Sequence, residues 1–207
     1  MLEKHNNITY LIEYPENFDE SLKYPVLFYI HGAGGRGTDR KKLGEYEVCV
    51  YRREHPDKFP FILAVPQCEY NSWFDIFEQL QEFVRYIAGL PYADGKNVFL
   101  TGSSMGGYAS YQLLMSMPDV FAGAVICCGG GMYWNAGSIM APVRIYHGKN
   151  DISVFPDESV KMYNALINNG KKAELFLLDN TAHNCWHAAY SGDETYEFFK
   201  SIMAGKI

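Results

Sequence analysis

Ser104, Asp151 and His183 are the residues of this chain whose types and spacing could do covalent chemistry. Ser104 lies in Gly102-Ser103-Ser104-Met105-Gly106, which fits G-x-S-x-G. A serine hydroxyl is a poor nucleophile unless a base takes its proton. A histidine can do so, provided a carboxylate holds its ring and stabilises the imidazolium. The acid and the base follow the serine in the order Ser104, Asp151, His183. The chemistry that this predicts is acyl transfer through a covalent acyl-serine.

Each residue has a plainer reading. A lone G-x-S-x-G also occurs as a glycine-rich turn, and Gly148-Lys149-Asn150-Asp151 is ordinary turn chemistry. Asp179 is the rival acid, but it precedes His183 by only four residues. His187 is the rival base, one turn further on. His147 reads as a core residue at a strand end, and His31 as a shaper of the glycine turn. The spacing His183-x-x-x-His187 resembles a metal pair, but Asn184 stands where a zinc protease needs glutamate. No metal or organic cofactor is expected.

Such side chains must be carried by strand ends. Val98–Leu100 is a short apolar run before the serine, and Tyr108–Met117 reads as a helix after it. In a strand–turn–helix the residues two places either side of the serine must be small, and Gly102 and Gly106 are. The helix start would point free N–H groups at a developing oxyanion. Pro25–Ile30, Phe61–Val65 and Phe121–Cys128 are continuous apolar runs, as in strands buried on both faces. Ile8–Glu13 reads as an edge strand, and Val143–His147 and Ala173–Leu178 as further strands. Helices are expected over 43–54, over 75–88 with Asp75 as N-cap, over 157–168 closed by Gly170, and over 186–203. Alternating strands and helices predict an α/β fold: a mostly parallel sheet with helices on both faces, one domain spanning 1–207, and no large cap. The candidate residues then all follow strands, where open α/β sheets gather their sites.

The chain has 207 residues, 48% of them hydrophobic, and a net charge of −6. No basic run suggests nucleic acid, and no apolar stretch suggests a membrane. Its start carries no apolar leader core. Five cysteines are an odd number, two of them adjacent, so reduced thiols and a cytoplasmic location are expected.

The stretches HGAGGRGTD at 31–39, PQCEYNSWFD at 66–75, GSSMGGYAS at 102–110, HGKNDISV at 147–154 and AHNCWHAAY at 182–190 resemble the α/β-hydrolase superfamily. More narrowly, they are similar to small esterases grouped with phospholipase/carboxylesterases, polyhydroxybutyrate-depolymerase-like esterases and predicted peptidases. The resemblance implies nucleophile, acid and base at Ser104, Asp151 and His183, and oxyanion donors at Ala33 and Met105. The chain departs from that pattern at Gly35, where relatives often have glutamate, and at Ala182, where they often have glycine.

The expected activity is that of a serine carboxylic-ester hydrolase. A serine peptidase and a non-catalytic binding module on the same scaffold are the alternatives. Gly34, Trp73, Tyr133, Trp134 and Trp186 are expected to contact substrate, with Phe74 and Phe155 near the same face. An open cleft rimmed by aromatics favours short-acyl or aryl esters, small or carbohydrate-linked, over long-chain lipids.

Overall fold

A computed structural model describes all 207 residues. Eight strands form one sheet: β1 (Leu2–His5), β2 (Ile8–Glu13), β3 (Tyr24–Ile30), β4 (Ile62–Pro66), β5 (Ala93–Ser103), β6 (Gly123–Cys127), β7 (Val143–Gly148) and β8 (Ala173–Leu178). Their order is β1-β2-β4-β3-β5-β6-β7-β8. β1 and β2 pair antiparallel, as do β2 and β4, and every other pairing is parallel.

The six α-helices are α1 (Glu47–Glu54), α2 (Phe77–Ala88), α3 (Met105–Ser116), α4 (Asp157–Asn168), α5 (Trp186–Tyr190) and α6 (Glu194–Met203). Alternate residues of a strand face opposite ways, so each strand feeds two cores. Val26, Phe28 and Ile30 of β3 pack beneath α2, α3 and α4. Leu27 and Tyr29 pack on the other face with α1, α5 and α6. This double burial explains why the central strands are unbroken apolar runs.

Four details differ from the sequence expectations. β2 is not the edge, because β1 pairs outside it through a two-residue turn. Asn6 and Asn7 make that turn, with φ of 42° and 65°. Two positive φ values at asparagines are the requirement of a tight hairpin. The helix over 75–88 begins as a 3-10 turn at Trp73, and its capping box joins Ser72 and Asp75, so Ser72 takes the N-cap place expected of Asp75. The helix expected over 186–203 breaks at Ser191-Gly192-Asp193. There Thr195 Oγ1 and Tyr196 OH donate to the last carbonyls of α5, at Ala189 and Tyr190, while Asp193 is held by Tyr51 OH and Lys58. In the expected helix over 43–54, residues Arg40–Gly44 are instead a 3-10 turn and only Glu47–Glu54 is α-helical.

Candidate active site

Ser104 sits between β5, the central strand, and α3. Its backbone has φ 55° and ψ −122°, a conformation that costs an L-residue about 1–3 kcal/mol and persists only where the surroundings enforce it. They do so here. Ser104 N–H donates to the Cys127 carbonyl at 2.9 Å, and Ser104 O accepts from Tyr108 N–H at 3.1 Å. A Cβ on Gly106 would overlap the Ile30 carbonyl, and one on Gly102 would lie 2.6 Å from the Gly106 carbonyl. Neither place admits a side chain, which is the steric demand expected of this turn.

Three side chains from three strand ends meet. Ser104 Oγ lies 2.8 Å from His183 Nε2, and His183 Nδ1 lies 2.6 Å from Asp151 Oδ2. The second Asp151 oxygen accepts the N–H groups of Ser153 and Val154 at 2.8 and 3.0 Å. Burial alone would raise the Asp151 carboxyl, but the bonds from His183, Val154 and Ser153 outweigh it and hold the group below the usual carboxylate range. Nδ1–H therefore faces a carboxylate, which leaves Nε2 as the acceptor for the serine proton.

The rivals lie elsewhere. Asp179 is on the surface, paired with Lys149 at 2.7 Å. His187 is exposed on α5. His31 is buried, its Nε2 accepting from Cys68 N–H at 3.0 Å and its Nδ1–H donating to Gly32 O at 2.8 Å. Burial lowers it to about 4, so it is a neutral support for the loop after β3. His147 is buried too, but it also approaches Asp151, its Nε2 lying 3.2 Å from Oδ2. Donor atoms of Cys128, Asp151 and His183 lie within 4.8 Å of one another, although two of these groups are already bonded together.

A cleft of about 500 Å³ opens over Ser104 and His183. The loop after β3 contributes Gly32, Ala33 and Gly34 to it. The Ala33 N–H heads a 3-10 turn and the Met105 N–H heads α3, positions that have no partner within their own helix. Gly35 cannot carry a longer residue, since a Cβ there would collide with Tyr46 OH and lie 2.6 Å from the His31 ring. Tyr46 thus fills the space that any side chain at position 35 would need.

The aromatic residues divide. Trp186 lines the cleft, its ring edge-on to His183 at 5.4 Å. Trp73 does not: it is fully buried and its indole N–H donates to the His31 carbonyl at 2.9 Å. Its expected contact with substrate is corrected to a structural role. Tyr133 and Trp134 are exposed and pack edge-to-face, and they too are outside the cleft lining. Phe74 is exposed and borders a separate depression of about 450 Å³ with Phe77, Tyr108 and Met132. Phe155 is exposed. Sequence reasoning missed Tyr29, Tyr46 and Glu47, which line the cleft from β3 and from the start of α1. No motif marks these three residues. Tyr29 comes with β3, and only the docking of α1 against the site brings Tyr46 and Glu47 there.

Residues 74–136, the stretch around the serine turn, match the prolyl oligopeptidase family. The chain is 31% identical over 107 residues to dipeptidyl-peptidase 5 of Aspergillus fumigatus, covering 46% of this chain and 15% of that protein. It is 25% identical over 170 residues to a probable feruloyl esterase C of Aspergillus terreus, covering 79% of this chain and 62% of that protein. Among solved structures, a thermostable esterase superposes with a TM-score of 0.87 at 24% identity, over 97% of this chain and 62% of the other. Dipeptidyl peptidase 4 of Porphyromonas gingivalis superposes with a TM-score of 0.75 at 15% identity, over 97% of this chain and 35% of the other. With its central strand, strained serine turn and parallel strand order, the chain has the α/β-hydrolase fold that these esterases and dipeptidyl peptidases share.

Proposed function

We propose that the protein is a serine hydrolase that cleaves carboxylic esters. The observation that carries this reading is the unbroken chain of hydrogen bonds from Ser104 Oγ through His183 to Asp151, at the floor of an open cleft. Ser104 Oγ attacks the ester carbonyl carbon while His183 Nε2 takes its proton. Ala33 and Met105 N–H groups receive the oxyanion. The C–O bond to the alcohol then breaks, and His183 returns the proton to the leaving oxygen. Water, deprotonated by the same Nε2, attacks the acyl-serine and releases the acid and the serine.

The cleft supports short-acyl or aryl esters, including esters of carbohydrates. It is open rather than tunnel-like, it is lined by the aromatic residues Tyr29, Tyr46 and Trp186, and a long acyl chain would find no enclosure. The similarity to a probable feruloyl esterase C over 79% of the chain agrees with this class. A second reading, cleavage of small peptides, is favoured by the prolyl oligopeptidase match at 74–136.

The test is a fluorophosphonate label on Ser104 followed by kcat/KM on a panel of acyl esters, feruloyl esters and peptide anilides. Labelling with a preference for acetyl, butyryl or feruloyl esters is expected. A preference for lauroyl esters would overturn the substrate class, and faster turnover of peptide anilides would establish the second reading. No covalent adduct on folded protein would mean a binding module.

A further inference from the structure

His147, the fifth residue of β7, has a buried ring whose two nitrogens are both engaged. Nε2 lies 2.9 Å from the Val154 carbonyl oxygen and 3.2 Å from Asp151 Oδ2. Both neighbours are acceptors, so Nε2 carries a hydrogen. Nδ1 lies 2.6 Å from Ser159 Oγ on α4, and that hydroxyl lies 3.1 Å from the Gly129 carbonyl oxygen beyond β6. Turning this ring would strand a polar group inside the protein, at a cost comparable to a lost hydrogen bond or more. The ring therefore joins α4 to the turn 151–154.

That turn is the one that holds the acid. Val154 supplies its carbonyl to His147 and its N–H to Asp151 Oδ1. Asp151 Oδ2 lies between two imidazoles, His183 at 2.6 Å and His147 at 3.2 Å. With the hydrogen bond between His183 and Ser104, the contacts run unbroken from the Ser104 hydroxyl to Ser159 on α4.

We propose that His147 is a positioning residue for the reaction: it ties the Asp151 carboxylate and its turn to α4, and so aims Oδ2 at His183. This rests on the assignment of Ser104, His183 and Asp151 as the reacting group. A histidine that merely filled space at the end of β7 would leave the titration of His183 unmoved. One that touches Asp151 does not. Removing the ring frees the Val154 carbonyl and lets Oδ2 turn away from His183, which makes the carboxylate a weaker partner for the imidazolium. His183 then gives up its proton at lower pH, and the acid limb of the rate profile moves down. The other ionisable groups facing the pair are Cys128 just after β6, Cys185 before α5 and Tyr108 on α3, which itself faces Glu158 on α4. Hydrogen bonding to Cys185 and burial push the Cys128 thiol up, and burial pushes the Tyr108 hydroxyl up, so both stay uncharged across that limb.

The experiment compares wild type, His147→Phe, His147→Gln and Ser159→Ala by kcat and KM against pH on a short aryl ester, with the rate of phosphonate labelling alongside. In His147→Phe, kcat should fall about 10- to 100-fold, the range for a reacting group misplaced by up to about 1 Å. KM should change less than about twofold, and the acid limb should fall by about 0.5–1 pH unit. His147→Gln, which keeps a donor, should recover part of both. Ser159→Ala should shift the limb the same way by less. A folded His147→Phe with unchanged kcat and limb, losing only thermal stability, overturns the proposal. If that variant does not fold, unshifted limbs in the other two overturn it equally. A wild type that is inactive and unlabelled on Ser104 would instead overturn the assignment on which the proposal rests.

Discussion

Around Ser104 the chain is held by backbone, and around His183 by side chains. The serine turn is pinned by the Cys127 carbonyl, by the first turn of α3, and by Gly106 packed on the Ile30 carbonyl. It lies mid-sheet, with β3 and β6 on either side of its strand. His183 stands on the loop after β8, the outermost strand, whose residues are only half buried. Its ring keeps 26% exposure while the Asp151 carboxylate has none. Its loop is tied by a few backbone bonds, such as Asn150 N–H to Thr181 O and His187 N–H to Asn184 O, but the ring itself is placed by Asp151, Ser104 and the perpendicular ring of Trp186. In the proposed reaction the nucleophile is thus preset by strain that the fold enforces, and the base is left room for the small ring movements that carrying a proton in two directions requires.

The largest expected effect removes a reacting group from either region. Ser104→Ala and His183→Ala should each lower kcat/KM by about 10⁴-fold or more, and by similar amounts, because such groups act as a unit. Thermal melts should show both proteins folded. If His187→Ala proved the more damaging histidine change, the base would have to be reassigned.

The two tryptophans sharpen the contrast next. Trp73→Ala empties a fully buried site beside His31 and should cost about 3–5 kcal/mol in urea unfolding. Trp186→Ala should leave stability within about 1 kcal/mol and raise KM for aryl esters several-fold. A reversal of these two outcomes would return Trp73 to the substrate.

Each region also depends on a glycine. Gly106→Ala drives a methyl into the Ile30 carbonyl and should destabilise by about 3 kcal/mol or more. Gly148→Ala meets the Thr181 and Ala182 carbonyls of the histidine loop, which follows the sheet's outermost strand. It should cost about 1 kcal/mol in stability while lowering kcat through a displaced His183. Equal stability losses would mean that the two sides are equally rigid.

Smaller than the losses at Trp73 and Gly106 is an effect on pH dependence. Burial lowers His31 from 6.5 to about 4. The unfolded chain takes up that proton near 6.5 and the folded protein does not, so its contribution is complete above 6.5 and is lost as pH falls towards 4. Between pH 6.5 and 5 this should weaken the fold by about 1.5 kcal/mol. Urea unfolding of His31→Gln, which cannot titrate, should show that part of the slope removed.

What was legible in the sequence is what short-range sterics dictate. A serine between Gly102 and Gly106, after an apolar run and before a helix, has few conformations open to it, so its turn could be read directly. The parallel strands could be read because burial on both faces demands unbroken apolar runs, and the helix Asp157–Asn168 and strand Ala173–Leu178 fall where periodicity put them. The hairpin before β2 carried a readable signal in Asn6-Asn7 that its short, half-exposed first strand obscured. Other features were settled only in three dimensions, because they depend on elements distant in sequence. Trp73 and Trp186 are alike as residues, but one is roofed by the loop after β3 and the other is left at the cleft. Tyr46 occupies the space beside Gly35 because α1 docks there. His147 touches Asp151 because the turn after β7 folds back over its own strand end, while α4 supplies Ser159 to the other side of the ring. Local sequence limits backbone shape. Which side chains share a cavity is decided by how the layers pack.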